Sequence, residues 1–122
     1  MSILVIAEHD NTNLKGSTLN TVAAAGSLNS DIHVLVAGSG IENVVSESQT
    51  LDGVSKIISC DNEAYMNFIA EDLSALIVSI SNNYTHVLAP ATTFGKNLMP
   101  RVSAKLDSQQ ISDIISIESD DT

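Results

Sequence analysis

The sequence predicts an α/β fold with a mostly parallel sheet covered on both faces, and three observations predict it. Short, apolar, β-branched runs recur along the chain, helix-like stretches separate them, and turn residues mark the junctions. Strands that read as unbroken apolar runs are covered on both faces, whereas half-exposed strands alternate. Strand and helix in regular alternation then argue for a twisted parallel sheet of about five strands in three layers. Right-handed crossovers place helices on both sides of such a sheet.

Each element has its own signal. Ile3 to Ala7 is continuously apolar and reads as the first strand, followed by a polar loop from Glu8 to Thr12. A helix from Leu14 or Ser17 to Leu28 carries Leu19, Val22, Ala23 and Gly26 as its buried stripe, and Asn29-Ser30-Asp31 turns the chain. Ile32 to Ala37 is the second strand, ended by Gly38-Ser39-Gly40. A weaker helix, Glu42 to Leu51, puts Val44, Val45 and Ser48 on one side and stops at Asp52-Gly53. Val54 to Ser59 is a shorter third strand, and Asn62 to Asn67 is irregular. Ile69, Leu73, Leu76, Ile77 and Ile80 form the clearest helical stripe, at i, i+4, i+7, i+8 and i+11.

The stretch from Tyr84 to Leu106 is the most strongly punctuated strand–loop–helix unit. Val87 to Ala89 is a buried strand ended by Pro90, and a loop of small residues follows. A helix is expected to begin near Asn97, whose side chain caps free amides, with Pro100 in its first turn, where no N–H is needed. Leu98, Val102, Ala104 and Leu106 supply its packing face. Ile111 to Ile117 is a fifth β-like run with no helix after it. An edge strand at a terminus leaves backbone unpaired, so the chain reads as cut short.

Composition narrows the function. The 122 residues suit one domain, residues 1–122. The net charge of −10 and only five Lys and Arg disfavour nucleic acid, because phosphate binding needs clustered cations. The single cysteine, Cys60, excludes an internal disulfide and a multi-cysteine metal site, and fits a reducing compartment. No run nears the roughly 20 apolar residues of a membrane span, and no signal or transit pattern precedes the first strand.

Ligands of open α/β sheets sit beyond the carboxyl ends of the strands, where strand order reverses. Two loops qualify. One holds Glu8, His9, Asp10 and Asn11; the other holds Thr92, Thr93, Gly95, Lys96 and Asn97. Thr92, Thr93, Lys96 and Asn97, at a helix start, are candidates for an anion site. Against it, both phosphate-binding glycine fingerprints are missing, and a capped helix with a solvated lysine explains the same residues. His9 between two carboxylates suggests an acid–base or metal cluster, yet no second histidine stands at ligand spacing. His33 and His86 lie near strand starts and read as structural. Cys60 has Asp61 beside it, and a neighbouring carboxylate disfavours a thiolate nucleophile, so core or loop packing is the expected role. No catalytic set and no metal site are read from spacing.

A resemblance adds to this. Ile3-Leu4-Val5-Ile6-Ala7-Glu8-His9, Leu19-Asn20-Thr21, Leu35-Val36-Ala37-Gly38, Gly53-Val54-Ser55-Lys56-Ile57 and Tyr84-Thr85-His86 recur in this order in one family. So do Phe94-Gly95-Lys96-Asn97-Leu98-Met99-Pro100-Arg101-Val102-Ser103-Ala104-Lys105-Leu106 and Ile111-Ser112-Asp113-Ile114-Ile115. Over nearly its whole length the chain resembles the N-terminal domain of electron transfer flavoprotein alpha subunits. Ala89-Pro90-Ala91-Thr92-Thr93 is closer to the bacterial branch.

The resemblance implies a Rossmann-like, adenine-nucleotide-hydrolase-like fold and a heterodimer with a beta subunit. The place would be a bacterial cytoplasm, or alternatively a mitochondrial matrix. It implies an electron carrier of fatty acid beta-oxidation rather than an enzyme, one that takes electrons from acyl-CoA and related dehydrogenases and passes them to a quinone oxidoreductase. FAD is then expected mainly in a C-terminal domain and AMP in the beta subunit, so no cofactor-binding residue is carried over to this chain. The competing reading is a stand-alone nucleotide-binding or stress-type α/β protein acting as a homodimer. Self-association through an open edge is a third.

Overall fold

The computed structural model describes residues 2–27, 31–67, 69–90, 92–105 and 113–117. Its elements run β1 (Ser2–Ile6), α1 (Gly16–Gly26), β2 (Asp31–Gly38), α2 (Glu42–Ser48), β3 (Val54–Asp61), α3 (Ala70–Ile80), β4 (Tyr84–Pro90), α4 (Thr93–Lys105) and β5 (Asp113–Ile117). The five strands form one sheet in the order β3-β2-β1-β4-β5. Every neighbouring pair is parallel. Order reverses between β1 and β4, so the switch point lies at their carboxyl ends.

The apolar strands are apolar because each feeds two layers. Ile3, Val5 and Ala7 pack with Val22 and Ala25 of α1 and Val44 of α2. Leu4 and Ile6, one residue out of phase, pack with Leu73 and Ile77 of α3 and with Leu98, Met99 and Val102 of α4. Side chains of a strand point alternately to opposite faces, so a strand with both faces covered must be apolar throughout. Burying each of the Val, Leu, Ile and Met side chains among them contributes about 1.5–3 kcal/mol. At the amino ends of the strands, the Tyr84 hydroxyl and His33 Nδ1 are hydrogen-bonded at 2.8 Å, which ties β4 to β2 across β1.

Several expected boundaries move. The strands are longer than their apolar cores: β4 begins at Tyr84 and β3 runs to Asp61. Within the stretch expected to be irregular, Glu63–Tyr65 form one 3-10 turn, capped by the Asn62 side chain on the Ala64 N–H at 2.9 Å. In α1 the buried residues are Thr18, Thr21, Val22 and Ala25, while Leu19, Ala23 and Gly26 of the expected stripe are exposed. Two threonines sit inside because their hydroxyls are spent on carbonyls, Thr18 on Glu8 and Thr21 on Ser17. Ile69 is likewise exposed, since it precedes α3 and does not belong to its stripe. The expected ends at Leu28 and Leu106, and the start of the fifth run at Ile111, lie outside the described residues.

The largest correction concerns α4. It starts at Thr93, so Asn97 does not cap it and Pro100 lies inside it. The Thr92 carbonyl accepts the Lys96 N–H at 2.8 Å, which opens the helix four residues before the expected start. Pro100 then costs the bond its N–H would have given to the Lys96 carbonyl. The early start is possible only because residue 95 is glycine: a Cβ there would overlap the carbonyl oxygen of Pro90.

Gly95→Ala is therefore expected to destabilise the fold by on the order of 3 kcal/mol, because backbone must move to admit one methyl. Gly26→Ala, with nothing within 4 Å of the added carbon, should change stability by less than about 1 kcal/mol and in the stabilising direction. Urea midpoints of both variants against the parent check the pair, and equal effects would contradict the assignment.

Candidate functional site

The crevice at the switch point is built from the loop after β1. The Glu8 N–H donates to the Thr18 hydroxyl at 2.8 Å, and the Glu8 carbonyl accepts the Lys15 N–H at 2.9 Å. These bonds lock the loop onto the first turn of α1. The Glu8 carboxylate reaches across the crevice: Oε1 accepts the Ser17 hydroxyl at 2.7 Å and the Thr92 hydroxyl at 2.9 Å. One carboxylate thus lies beside the starts of both α1 and α4, where the amino ends of helices favour negative charge.

His9 is 4% exposed and bonded through both ring nitrogens. Nε2 lies 2.9 Å from the Ala37 carbonyl oxygen, an acceptor, so Nε2 carries the proton. Nδ1 accordingly accepts the Asn11 N–H at 2.9 Å. The imidazole is held neutral in one tautomer, and burial pushes its pKa below the ordinary range against weaker opposing effects from the Ala37 carbonyl, Asp10 and Glu8. Asp10 turns outward, where the N–H groups of Asn13 and Thr12 hold its carboxyl below the usual range. The three adjacent polar residues therefore serve three different tasks within the loop. Among the described residues no group of three or more His, Cys, Asp or Glu is placed to hold a metal ion.

Asn11 ties the loop after β1 to the segments that follow β2 and β3. Its backbone takes the left-handed conformation, φ 73°. Its side-chain oxygen accepts the Ser39 N–H at 2.9 Å, and its amide donates to the Met66 carbonyl at 2.9 Å. Gly38 permits this, because a Cβ there would lie 2.7 Å from His9 Cε1 and also against the Asn11 side-chain oxygen. The next two amides are engaged as well, Gly40 N–H with Asp61 Oδ1 at 3.0 Å and Ile41 N–H with Asp61 Oδ2 at 3.3 Å. The backbone donors of Ser39, Gly40 and Ile41, which in a phosphate-binding loop would face the ligand, face the protein's own side chains here.

The four anion-site candidates separate in the same way. Thr92 turns inward to Glu8, while Thr93, Lys96 and Asn97 stand exposed on the first turns of α4. An anion arriving there would meet a carboxylate already bonded to the one inward hydroxyl. Cys60 is half-buried and packs against the layer formed by α3 and α4. Sequence reasoning missed the side-chain roles of Asn11 and Asp61. The signals were an Asn able to adopt positive φ in a polar loop and an Asp ending a strand beside a glycine pair.

The neutral His9 gives a pH dependence with a definite sign. As pH falls below 6.5 the unfolded chain protonates His9 while the folded chain does not. Stability therefore drops through that range and levels off below the folded-state pKa. His33, also lowered by burial, contributes in the same direction. His9→Gln should flatten the decline in the urea midpoint between about pH 7.5 and 5.5. An unchanged slope would contradict a buried, neutral His9 in the folded chain.

Residues 3–122 match the electron transfer flavoprotein domain family. The chain is 52% identical over 122 residues to the electron transfer flavoprotein subunit alpha of Pseudomonas aeruginosa, covering all of this chain and 40% of that protein. It is 45% identical to the alpha subunit of Bradyrhizobium diazoefficiens, covering 100% of this chain and 39% of that protein. It is 39% identical over 127 residues to the mitochondrial alpha subunit of Dictyostelium discoideum, covering 98% of this chain and 36% of that protein. The chain thus spans about two fifths of the length of the curated relatives it matches. It is a member of the electron transfer flavoprotein domain family.

Proposed function

We propose that residues 1–122 are the N-terminal α/β domain of an electron transfer flavoprotein alpha subunit, and that they act as a scaffold rather than as a redox or catalytic site. In this reading the domain pairs with a beta subunit and forms part of the base that carries a flavin domain. FAD lies mainly outside this chain, and AMP lies in the beta subunit. The assembled carrier takes electrons from acyl-CoA and related dehydrogenases and delivers them to a quinone oxidoreductase, in a bacterial cytoplasm or a mitochondrial matrix. Among the described residues no helix is long and apolar enough to cross a membrane.

One observation carries the scaffold reading. At the carboxyl ends of the strands, where an open α/β sheet ordinarily binds a nucleotide, Glu8, His9 and Asn11 are each spent on the chain's own backbone or hydroxyls, and the Gly40 and Ile41 amides are taken by Asp61. A bound phosphate would have to displace carboxylates from the same donors, which costs both hydrogen bonds and charge repulsion. The stand-alone nucleotide-binding alternative has no comparable support.

The test is co-expression with the beta subunit of the same organism, together with a flavin absorbance scan and an AMP titration of this chain alone. The expected result is a stable complex of equal stoichiometry, with neither flavin nor AMP retained by the isolated chain. Micromolar binding of either ligand by the chain alone would overturn the scaffold reading.

A further inference from the structure

The sheet ends at β3, and among the described residues no strand pairs with its outer side. The two halves of that edge differ. At the start, the register shifts between Ile32 and His33, leaving Ser55 out of the pairing, and Lys56 stands exposed. A bulge and a lysine are both devices that discourage a further strand. The carboxyl half, Ile57 to Asp61, carries neither.

That half borders a cavity of about 260 Å³ lined by Ile41, Glu42, Val45, Ser59 and Asp61. Its floor is apolar, formed by buried Ile41 and half-buried Val45 at the start of α2, and its exposed rim is acidic, formed by Glu42 and Asp61. We propose that this half-edge binds an extended, basic segment of a partner protein, which adds as a parallel or antiparallel strand beside Ile57–Asp61. Main-chain bonds to an open edge give such segments affinity, and alternate side chains give them specificity. Residues two apart on the added strand point to the same face. An apolar residue there covers Ile41 and Val45, and an Arg or Lys two positions away meets Glu42 and Asp61. Both Asp61 oxygens already accept backbone N–H groups, and a carboxylate keeps lone pairs for a further donor.

Charge selects this occupant over a second copy of the chain. The protein carries −10, with Glu63 just beyond the strand, so a copy brings like charge to the same edge while a basic segment brings the opposite.

A capped, fluorescently labelled peptide of sequence Thr-Val-Thr-Val-Thr-Arg-Thr serves as the probe, titrated into the full chain while hydrogen exchange of its amides is followed by NMR. The expected result is saturable binding, slowed exchange confined to Ile57–Asp61, and at least tenfold weaker binding for Glu42→Lys or for the same peptide with Glu replacing Arg. Ser59→Lys, at an exposed position that leaves the core untouched, should abolish binding. No binding at millimolar peptide, affinity indifferent to the charge changes, or protection elsewhere would overturn the proposal. So would protection of Ile57–Asp61 in a dimer of the chain alone, seen by sedimentation, because the occupant would then be a second copy.

Discussion

The interaction on which the rest of the molecule depends is the reach of the Glu8 carboxylate from the end of β1 to the hydroxyls of Ser17 and Thr92. These three residues belong to the starts of two helices on opposite faces of the sheet and to the loop that follows β1. A parallel sheet has no hairpins to hold its layers in register, so something must fix where each helix begins relative to the strands. Here that is a charged acceptor with two hydroxyl donors. Hydrogen bonds to a charged acceptor are worth more than neutral ones, about 1.5–3 kcal/mol against roughly 1.

The consequence for function follows from position. The same carboxyl ends of strands serve nucleotide-binding proteins as a ligand cradle, and the requirements are free backbone amides and room for phosphate. This chain supplies side chains in place of the ligand: Asn11 for the Ser39 amide and Asp61 for Gly40 and Ile41. His9 fills the space over Gly38 and is held neutral by burial, which spares the site a buried cation. A surface organised this way ties its loops to the sheet by hydrogen bonds, which agrees with the proposed scaffold role.

Most of the architecture was legible in the sequence because burial on both faces writes itself as unbroken apolar runs. Ile3–Ala7 and Ile32–Ala37 could hardly be misread. The start of α4 was misread because Thr92-Thr93-Phe94-Gly95 has loop composition, and the reason for a helix there is tertiary: the close pass of Gly95 over the Pro90 carbonyl. Leu19 was placed inside by apolarity, and the structure prefers Thr18 because its hydroxyl can close the β1 loop. Among the candidate site residues, Thr92 donates its hydroxyl to an internal carboxylate. Pairings between residues 84 positions apart, such as Thr92 with Glu8, leave no trace in local spacing.

The central claim is that Glu8 and Thr92 act as one unit, and a double-mutant cycle measures that coupling. Thr92→Val and Glu8→Gln, alone and together, would be compared by urea unfolding at neutral pH. A unit predicts that the two single losses exceed the double loss, with a coupling energy of about 1 kcal/mol or more. Losses that simply add would mean that the carboxylate and the hydroxyl are neighbours without being partners, and the organising role assigned to Glu8 would fail.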